Sequence, residues 1–237
     1  METSLHRQLK ALYASQAAPQ TEVKLGEYRI DAVRDDDTLV EIQHGSLAAI
    51  RTKIAALLAK KHRVLVVKPI IATKTIIKQD ERGGQVISRR LSPKRGTVLD
   101  LFHELVYFTQ VFPHRHLVLE TPLVQVEELR YPGHGRKRRW RKNDHVVEDQ
   151  RLVCVLESQR FVTTQDLWQL LPGDLPSPFH TGHLAERAGI ARWIAQRIAY
   201  CLVKTGATQE VGKEGNARLY VAQAAKPAVK RRRKRQA

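Results

Sequence analysis

Cysteine is nearly absent: the 237 residues hold two, Cys154 and Cys201, together with a single methionine. Both cysteines sit in apolar helical patterns with no metal-ligand spacing, so buried free thiols are expected rather than a disulfide or a thiolate zinc site. Long hydrophobic runs are missing as well. No apolar stretch approaches the roughly 20 residues that span a bilayer, and residues 1–20 lack the basic-then-apolar pattern of a signal peptide. A soluble, cytoplasmic protein with no membrane partner is therefore expected. The histidines offer no ready metal site: the spacings of His103, His114, His116, His180 and His183 match no compact ligand set on one element, and ordinary surface or partly buried side chains are expected. Acidic residues are scarce by comparison, 24 against 41 Lys and Arg, which leaves a formal net charge of +17.

What is present is enough to build cores. With 42% hydrophobic residues, the chain has room for one large or two modest domains. The positive charge is concentrated. Arg136-Lys137-Arg138-Arg139 with Arg141 and Lys142 supplies six charges, and the tail from Lys226 to Arg235 supplies seven, which leaves +4 for the remaining chain. A charge gathered in one loop and one tail points to phosphate. Solvation alone accounts for the tail, whereas the inner loop embeds Trp140 among arginines, where it can stack on a base.

The stretch from Tyr28 to Gln43 organises the first half. Tyr28, Ile30 and Ala32 alternate with Arg29, Asp31 and Val33, and Leu39-Val40-Glu41-Ile42-Gln43 follows an Asp35-Asp36-Asp37 turn, the pattern of a hairpin. Period-2 alternation puts Glu41 and Gln43 on one face, and pairing can bring Asp31 near them, so two carboxylates converge on an otherwise apolar sheet. Hard divalent cations such as Mg²⁺ (or Mn²⁺) take oxygen ligands of this kind, together with water and substrate phosphate.

Asp31, then Glu41-Ile42-Gln43, then the amphipathic stretch from Ser46 to Lys60 and the apolar run from Val64 to Val67 resemble the PD-(D/E)XK nuclease core. That family carries an Asp on one strand and E-x-K on the next, followed by a crossover helix and another strand. The resemblance implies Asp31 and Glu41 as metal ligands, with Asp31, Glu41, Gln43 and Glu2 as the catalytic set. Gln43 stands where Lys is usual, so the likeness bears on metal binding before it bears on catalysis. Leu5, Leu9 and Leu12 predict a helix over 3–15, and Glu2 fits the acid that the superfamily often places on its first helix. Glu2 could equally complement the helix dipole, and Glu22 and Glu27 are alternative occupants of that role.

Further along, Leu47, Ile50, Ile54, Leu57 and Leu58 make the inner stripe of a crossover helix, with Arg51, Thr52 and Lys53 turned away. Residues 62–71 read as a continuous buried strand. A second hairpin is expected around Asp80-Glu81-Arg82-Gly83-Gly84, then a helix over 97–108 with Lys94 and Arg95 beside its N-terminus, either holding phosphate or forming a plain capping loop. Residues 117–129 read as a long strand before the basic loop.

Beyond Trp140 the expected pattern is helical: over 149–157, over 164–171 behind a Thr163 cap, over 181–188, and over 191–205 closed by Gly206. A hairpin around Gly212-Lys213-Glu214-Gly215-Asn216 follows. Helix, turn, helix, hairpin resembles a winged-helix domain. The likeness implies that Arg192, Gln196 and Lys204 face the major groove, with Lys213 and Arg218 on the wing. The whole arrangement is similar to uncharacterised prokaryotic proteins with a nuclease-like front half and a winged-helix back half.

The expected fold class is thus α/β, a restriction-endonuclease-like mixed sheet with flanking helices over 1–135, a basic linker over 136–148, a winged helix-turn-helix domain over 149–222 and a basic tail over 223–237. The expected function is nucleoid-associated DNA binding with Mg²⁺-dependent phosphodiester hydrolysis. The alternative is a non-catalytic DNA-binding regulator on a degenerate nuclease scaffold. The expected partner is double-stranded or branched DNA, contacted through Lys94, Arg95, Arg136, Lys137, Arg138, Arg139, Arg192, Gln196, Lys204, Lys213 and Arg218, and a homodimer is left open.

Overall fold

The structure, a computed structural model, describes residues 3–15, 20–133 and 144–223. The chain divides into two compact units between Val162 and Thr163.

In the first unit, α1 (Ser4–Tyr13) starts at Thr3, whose hydroxyl accepts from the His6 N–H, and buries Leu5, Leu9 and Tyr13 on one stripe. Next come β1 (Gln20–Leu25), β2 (Tyr28–Val33) and β3 (Leu39–Ile42), paired antiparallel in succession. A 3₁₀ turn, Leu47–Ile50, and α2 (Arg51–Ala59) cross to β4 (Val64–Val67), which lies parallel to β3.

β5 (Ile70–Gln79) then turns back through β6 (Val86–Leu91), α3 (Leu101–Leu105) follows, and β7 (Leu117–Pro132) and β8 (His145–Phe161) complete an eight-stranded mixed sheet. β4 and β5 are both parallel to β7 with one offset, Val67 opposite Glu120 and Ile70 opposite Leu123. They therefore form a single broken line along one edge of β7. Lys68 and Pro69 make the break, because proline cannot donate to a ladder, so the continuous strand expected over 62–71 becomes two. β8 pairs antiparallel with the same residues of β7 and so takes its other edge.

Alternation along the strands assigns the two faces. Val40, Ile42, Leu65 and Val67 pack with Leu5, Leu9 and Tyr13 of α1, and the alternate residues, Glu41 among them, point to the face crossed by α2. Tertiary structure overrides the helix expected over 149–157: these residues lie in the middle of β8. Three register shifts along the β7–β8 pair break the strict period of two. A bulged strand rich in Val and Leu then imitates helical spacing. Cys154 accordingly lies on a strand rather than a helix, and residues 149–162 belong to the first unit, not to the C-terminal one. The helix expected over 97–108 is also shorter, a 3₁₀ turn, Val98–Asp100, running into α3.

The second unit contains α4 (Thr164–Trp168), α5 (Thr181–Ala188), α6 (Arg192–Thr205) and a hairpin of β9 (Thr208–Glu214) and β10 (Ala217–Ala222). Thr163 and Asp166 form a capping box at the start of α4, and Gly206 ends α6 in the left-handed region at φ 81°. Leu167, Phe179, Leu184, Ile198, Cys201 and Leu202 form its buried interior. A single bridge joins Phe179 to Tyr220.

Candidate site where β2 and β3 part

Pairing between β2 and β3 consists of two positions, Ala32 opposite Val40 and Val33 opposite Leu39. Beyond them the strands separate, and a side chain takes over from the ladder: Asp31 Oδ2 accepts the Ile42 N–H at 2.7 Å. The other carboxylate oxygen lies 3.3 Å from His6 Nε2 and 4.0 Å from Lys10 Nζ, both on α1. Burial alone would raise the Asp31 pKa, but the hydrogen bonds from His6 and the Ile42 backbone outweigh it and hold the carboxyl below its ordinary range.

Glu41 is the opposite case. Lys53 Nζ donates to both of its carboxylate oxygens at 2.6 Å and also to the Arg29 carbonyl. Burial and the neighbouring negative charge of Asp31 still push Glu41 above its ordinary value, against the pull of Lys53. Two carboxyls from adjacent strands are thus driven apart in acidity by their surroundings, a pattern that recurs where acids do chemistry. Lys53 is half-buried here, not turned away to solvent as the stripe of α2 suggests, because its long side chain reaches the sheet at Glu41 and the Arg29 carbonyl.

Asp31 opens onto a cleft of about 470 Å³ lined by Thr3, His6, Lys10, Glu22, Arg29, Asp31 and His44. Glu22 reaches it from β1 in the left-handed region at φ 57° and pairs with both Lys10 and Arg29. Of the acids weighed for this place, Glu22 is therefore in the cleft, Glu27 sits exposed in the β1–β2 turn, and Glu2 lies outside the described residues. Gln43 is not among the lining residues; its Nε2 donates to the Ser46 carbonyl at 2.9 Å, folding it over the turn that follows β3. That turn is fastened on two sides. Lys68 Nζ donates to the carbonyls of His44 and Gly45 at 2.7 and 2.6 Å, while Glu104 Oε2 accepts the Leu47 N–H at 3.0 Å. His44 lies 5.5 Å, centroid to centroid, from His6, and burial lowers its pKa to about 4, so its ring is neutral at pH 7.

His6, Lys10, His44, Lys53 and Lys68 are the members of this site that sequence reasoning missed. The first three carry no motif, since they converge only when α1 packs across the hairpin. Lys53 alone left a trace, as a cation one helical turn inside the crossover helix. Asp31 and Glu41, on adjacent strands, are oxygen donors of the kind a hard divalent cation takes, and of the two Asp31 alone lines the cleft. Among the described residues, no group of three or more His, Cys, Asp or Glu is arranged to hold a metal ion.

The other proposed contacts are dispersed. Lys94 and Arg95 are exposed, and Arg95 donates to the carbonyls of Ser92 and Lys94. The turn beside them is closed by a capping box, in which Asp100 accepts the Thr97 N–H at 3.0 Å. Arg136, Lys137, Arg138, Arg139 and Trp140 lie outside the described residues. Arg192, Gln196 and Lys204 are exposed on α6 and Lys213 is exposed on β9, while Arg218 pairs with Glu210 across the hairpin at 3.1 Å.

The molecule is thus an α/β protein whose mixed sheet, flanked by helices, carries a cleft lined by Asp31 and Glu22 where β2 and β3 part, with Glu41 on the neighbouring strand; a smaller unit of helices and a hairpin follows in the chain. Residues 3–162 match the family described as Domain of unknown function (DUF8091), and the chain belongs to it. That match ends where the first unit ends. An uncharacterised protein of Treponema pallidum (strain Nichols) is 30% identical over 220 residues, covering 92% of this chain and 84% of the relative, so the similarity extends into the second unit. No solved structure matches. Among the described residues no helix is long and apolar enough to cross a membrane.

Proposed function

We propose that the protein binds DNA and hydrolyses phosphodiester bonds with the help of a divalent cation held by Asp31 and Glu41, where β2 and β3 part. The observation that carries this reading is the contact of Lys53 Nζ with both Glu41 oxygens, beside an Asp31 held ionised. A fixed cation on Glu41 would stand in for the Lys that the motif lacks: position 43 supplies only a neutral amide, and that amide is spent on Ser46. The order of α1, the β1–β2–β3 trio, α2 and β4 also agrees with the PD-(D/E)XK resemblance. Asp31 and Glu41 would hold Mg²⁺ or Mn²⁺, which when bound supplies Lewis-acid activation of water and charge neutralisation at the phosphate. The chain's own residues do the rest. His6 and the Ile42 N–H orient Asp31, and Lys53 places positive charge where charge develops on the phosphate in the transition state. In the second unit, α5, the turn at Gly189, α6 and the β9–β10 hairpin follow the winged-helix order, which supports α6 as the element that meets nucleic acid.

A second reading, a non-catalytic DNA-binding scaffold, is favoured by the same ion pair. With both oxygens engaged by Lys53, Glu41 is satisfied without a metal. Cleavage of duplex, single-stranded and branched DNA by purified protein in Mg²⁺ separates the two. For the enzyme, Glu41→Gln abolishes cleavage, Lys53→Met lowers it by about 10²–10³-fold, Gln43→Lys keeps or increases it, and Asp31→Asn removes the Mg²⁺-induced rise in Tm. For the scaffold, wild type and Gln43→Lys bind DNA and cut none. Cleavage that survives in Glu41→Gln overturns the assignment.

A further inference from the structure

The face of α6 turned to solvent carries more than the three polar residues expected of it. Trp193, Arg197, Tyr200 and Lys204 follow one another at steps of four, three and four residues, which superimposes them on one side of the helix. Two of the four are large aromatics left in water, Trp193 at 52% exposure and Tyr200 at 45%, while the opposite side of the helix buries Ala195, Ile198, Ala199, Cys201 and Leu202. Each aromatic is matched with a cation: the Arg197 guanidinium lies 5.3 Å from the Trp193 ring centroid, and Lys204 Nζ lies 5.8 Å from that of Tyr200. Arg192 and Gln196 flank the stripe, and α6 contains no acidic residue.

Two large aromatics on one exposed helix face, each beside a cation, make that face a surface for a partner of matching chemistry. The chemistry specifies which. Reading an intact duplex in the major groove calls for hydrogen-bonding groups aimed at base edges, as Arg192 and Gln196 are built to supply. Trp and Tyr instead offer flat faces for bases that have left the stack, and the interleaved cations match the phosphates between those bases. Trp193 and Tyr200 lie seven residues apart, about 10 Å along the helix, with Arg197 between them. That spacing leaves room between the rings for the phosphate that links two unstacked bases.

We infer that the Trp193–Arg197–Tyr200–Lys204 stripe is a stacking platform for unpaired bases, so that the nucleic acid bound through α6 contains single-stranded segments, as at a fork, flap or branch. This rests on the proposed DNA binding and names its substrate class.

The test measures fluorescence anisotropy of full-length protein with three labelled probes: short oligo-dT, a blunt duplex, and a fork with unpaired arms. Trp193→Ala and Tyr200→Ala should each weaken binding to oligo-dT and the fork by about ten-fold or more, the loss of one stacked base, and change duplex affinity by less than about two-fold. Trp193→Phe should restore most of the loss, because a smaller ring still stacks; both positions are exposed, so unchanged Tm values establish that the variants fold. Equal loss on duplex and oligo-dT, or loss on neither, overturns the platform while DNA binding stands. Failure of wild type to bind any of the three probes overturns DNA binding and the platform together, and leaves the stripe as a face for protein.

Discussion

At the residue scale, His44 shows how a site can set its own pH limits. Its ring is held neutral chiefly by burial, with the charges of His6 and Lys68 adding to the effect, and its Nε2 is buried without a hydrogen-bond partner. The folded-state pKa of about 4 lies below the ordinary value of 6.5, so the unfolded chain takes up the proton first. The contribution of a neutral His44 to stability is fully present above about pH 6.5 and falls by up to about 3 kcal/mol as pH drops towards 4. His44→Leu should flatten that limb, and urea unfolding at pH 7 and pH 4.5 compares the two proteins. A wild-type midpoint that is identical at both pH values would remove His44 from the account. Lys68 is fastened in the same turn, and its charge is kept inside the protein by two backbone carbonyls, which is why the loop holding His44 and Gln43 has a defined shape.

At the element scale, β7 is the strand on which the first unit depends, since β4, β5 and β8 all pair with it. Glu128 on β7 reaches across both neighbours: it accepts from Lys74 of β5 at 2.8 Å, from Gln150 of β8 at 2.7 Å, and from Arg130 on its own strand. Burial would raise its pKa, yet these three donors outweigh burial and keep the carboxylate ionised below the ordinary range. Their contribution is present above the ordinary carboxylate pKa and is lost as pH falls below it. Glu128→Ala leaves Lys74 and Arg130 without their acceptor and should cost about 3–5 kcal/mol, whereas Glu128→Gln, which keeps the shape and one acceptor oxygen, should cost less. Thermal or urea unfolding ranks the pair; equal losses would show that charge is not what matters there.

β7 and β8 also show what can be read from a pattern. The strand over 117–129 was legible as one long apolar stretch, although its alternation changes phase between Leu119 and Val124. β8 was not, because its bulges destroy the period and its partner lies across a basic loop. The first hairpin, the crossover to β4, the Asp80–Gly84 turn, and the caps at Thr163 and Gly206 are local devices that act over a few residues, and all appear where their signals stand.

At the scale of the whole molecule, the charge of +17 determines how any nucleic acid is met. Thirteen of those charges lie in the 136–142 stretch and the tail, outside the described residues. Each phosphate neutralised releases counterions, so log Kd should rise linearly with log salt. Removing residues 226–237 should flatten that slope by about one unit for each charge that had met a phosphate, while leaving Mg²⁺-dependent cleavage in place. A slope unchanged by the deletion would show that the tail is solvated and takes no part.

The sequence by itself determined the α/β class of the first unit, the hairpin carrying Asp31 and Glu41, the helix–turn–helix order of the second, and the basic bias. Each of these depends on period, cap or charge within a short window. Only tertiary structure decided that residues 149–162 complete the sheet, that Lys53 turns inward to Glu41, and that His6, Lys10, Glu22 and His44 share a cleft. Those outcomes depend on which elements pack against one another: Lys53 meets Glu41 over 12 residues of chain, the cleft gathers side chains from α1 to the turn after β3, and β8 pairs with β7 across the basic stretch. A side chain's partner over such a separation is set by the burial of the elements that carry it, and no local spacing records it.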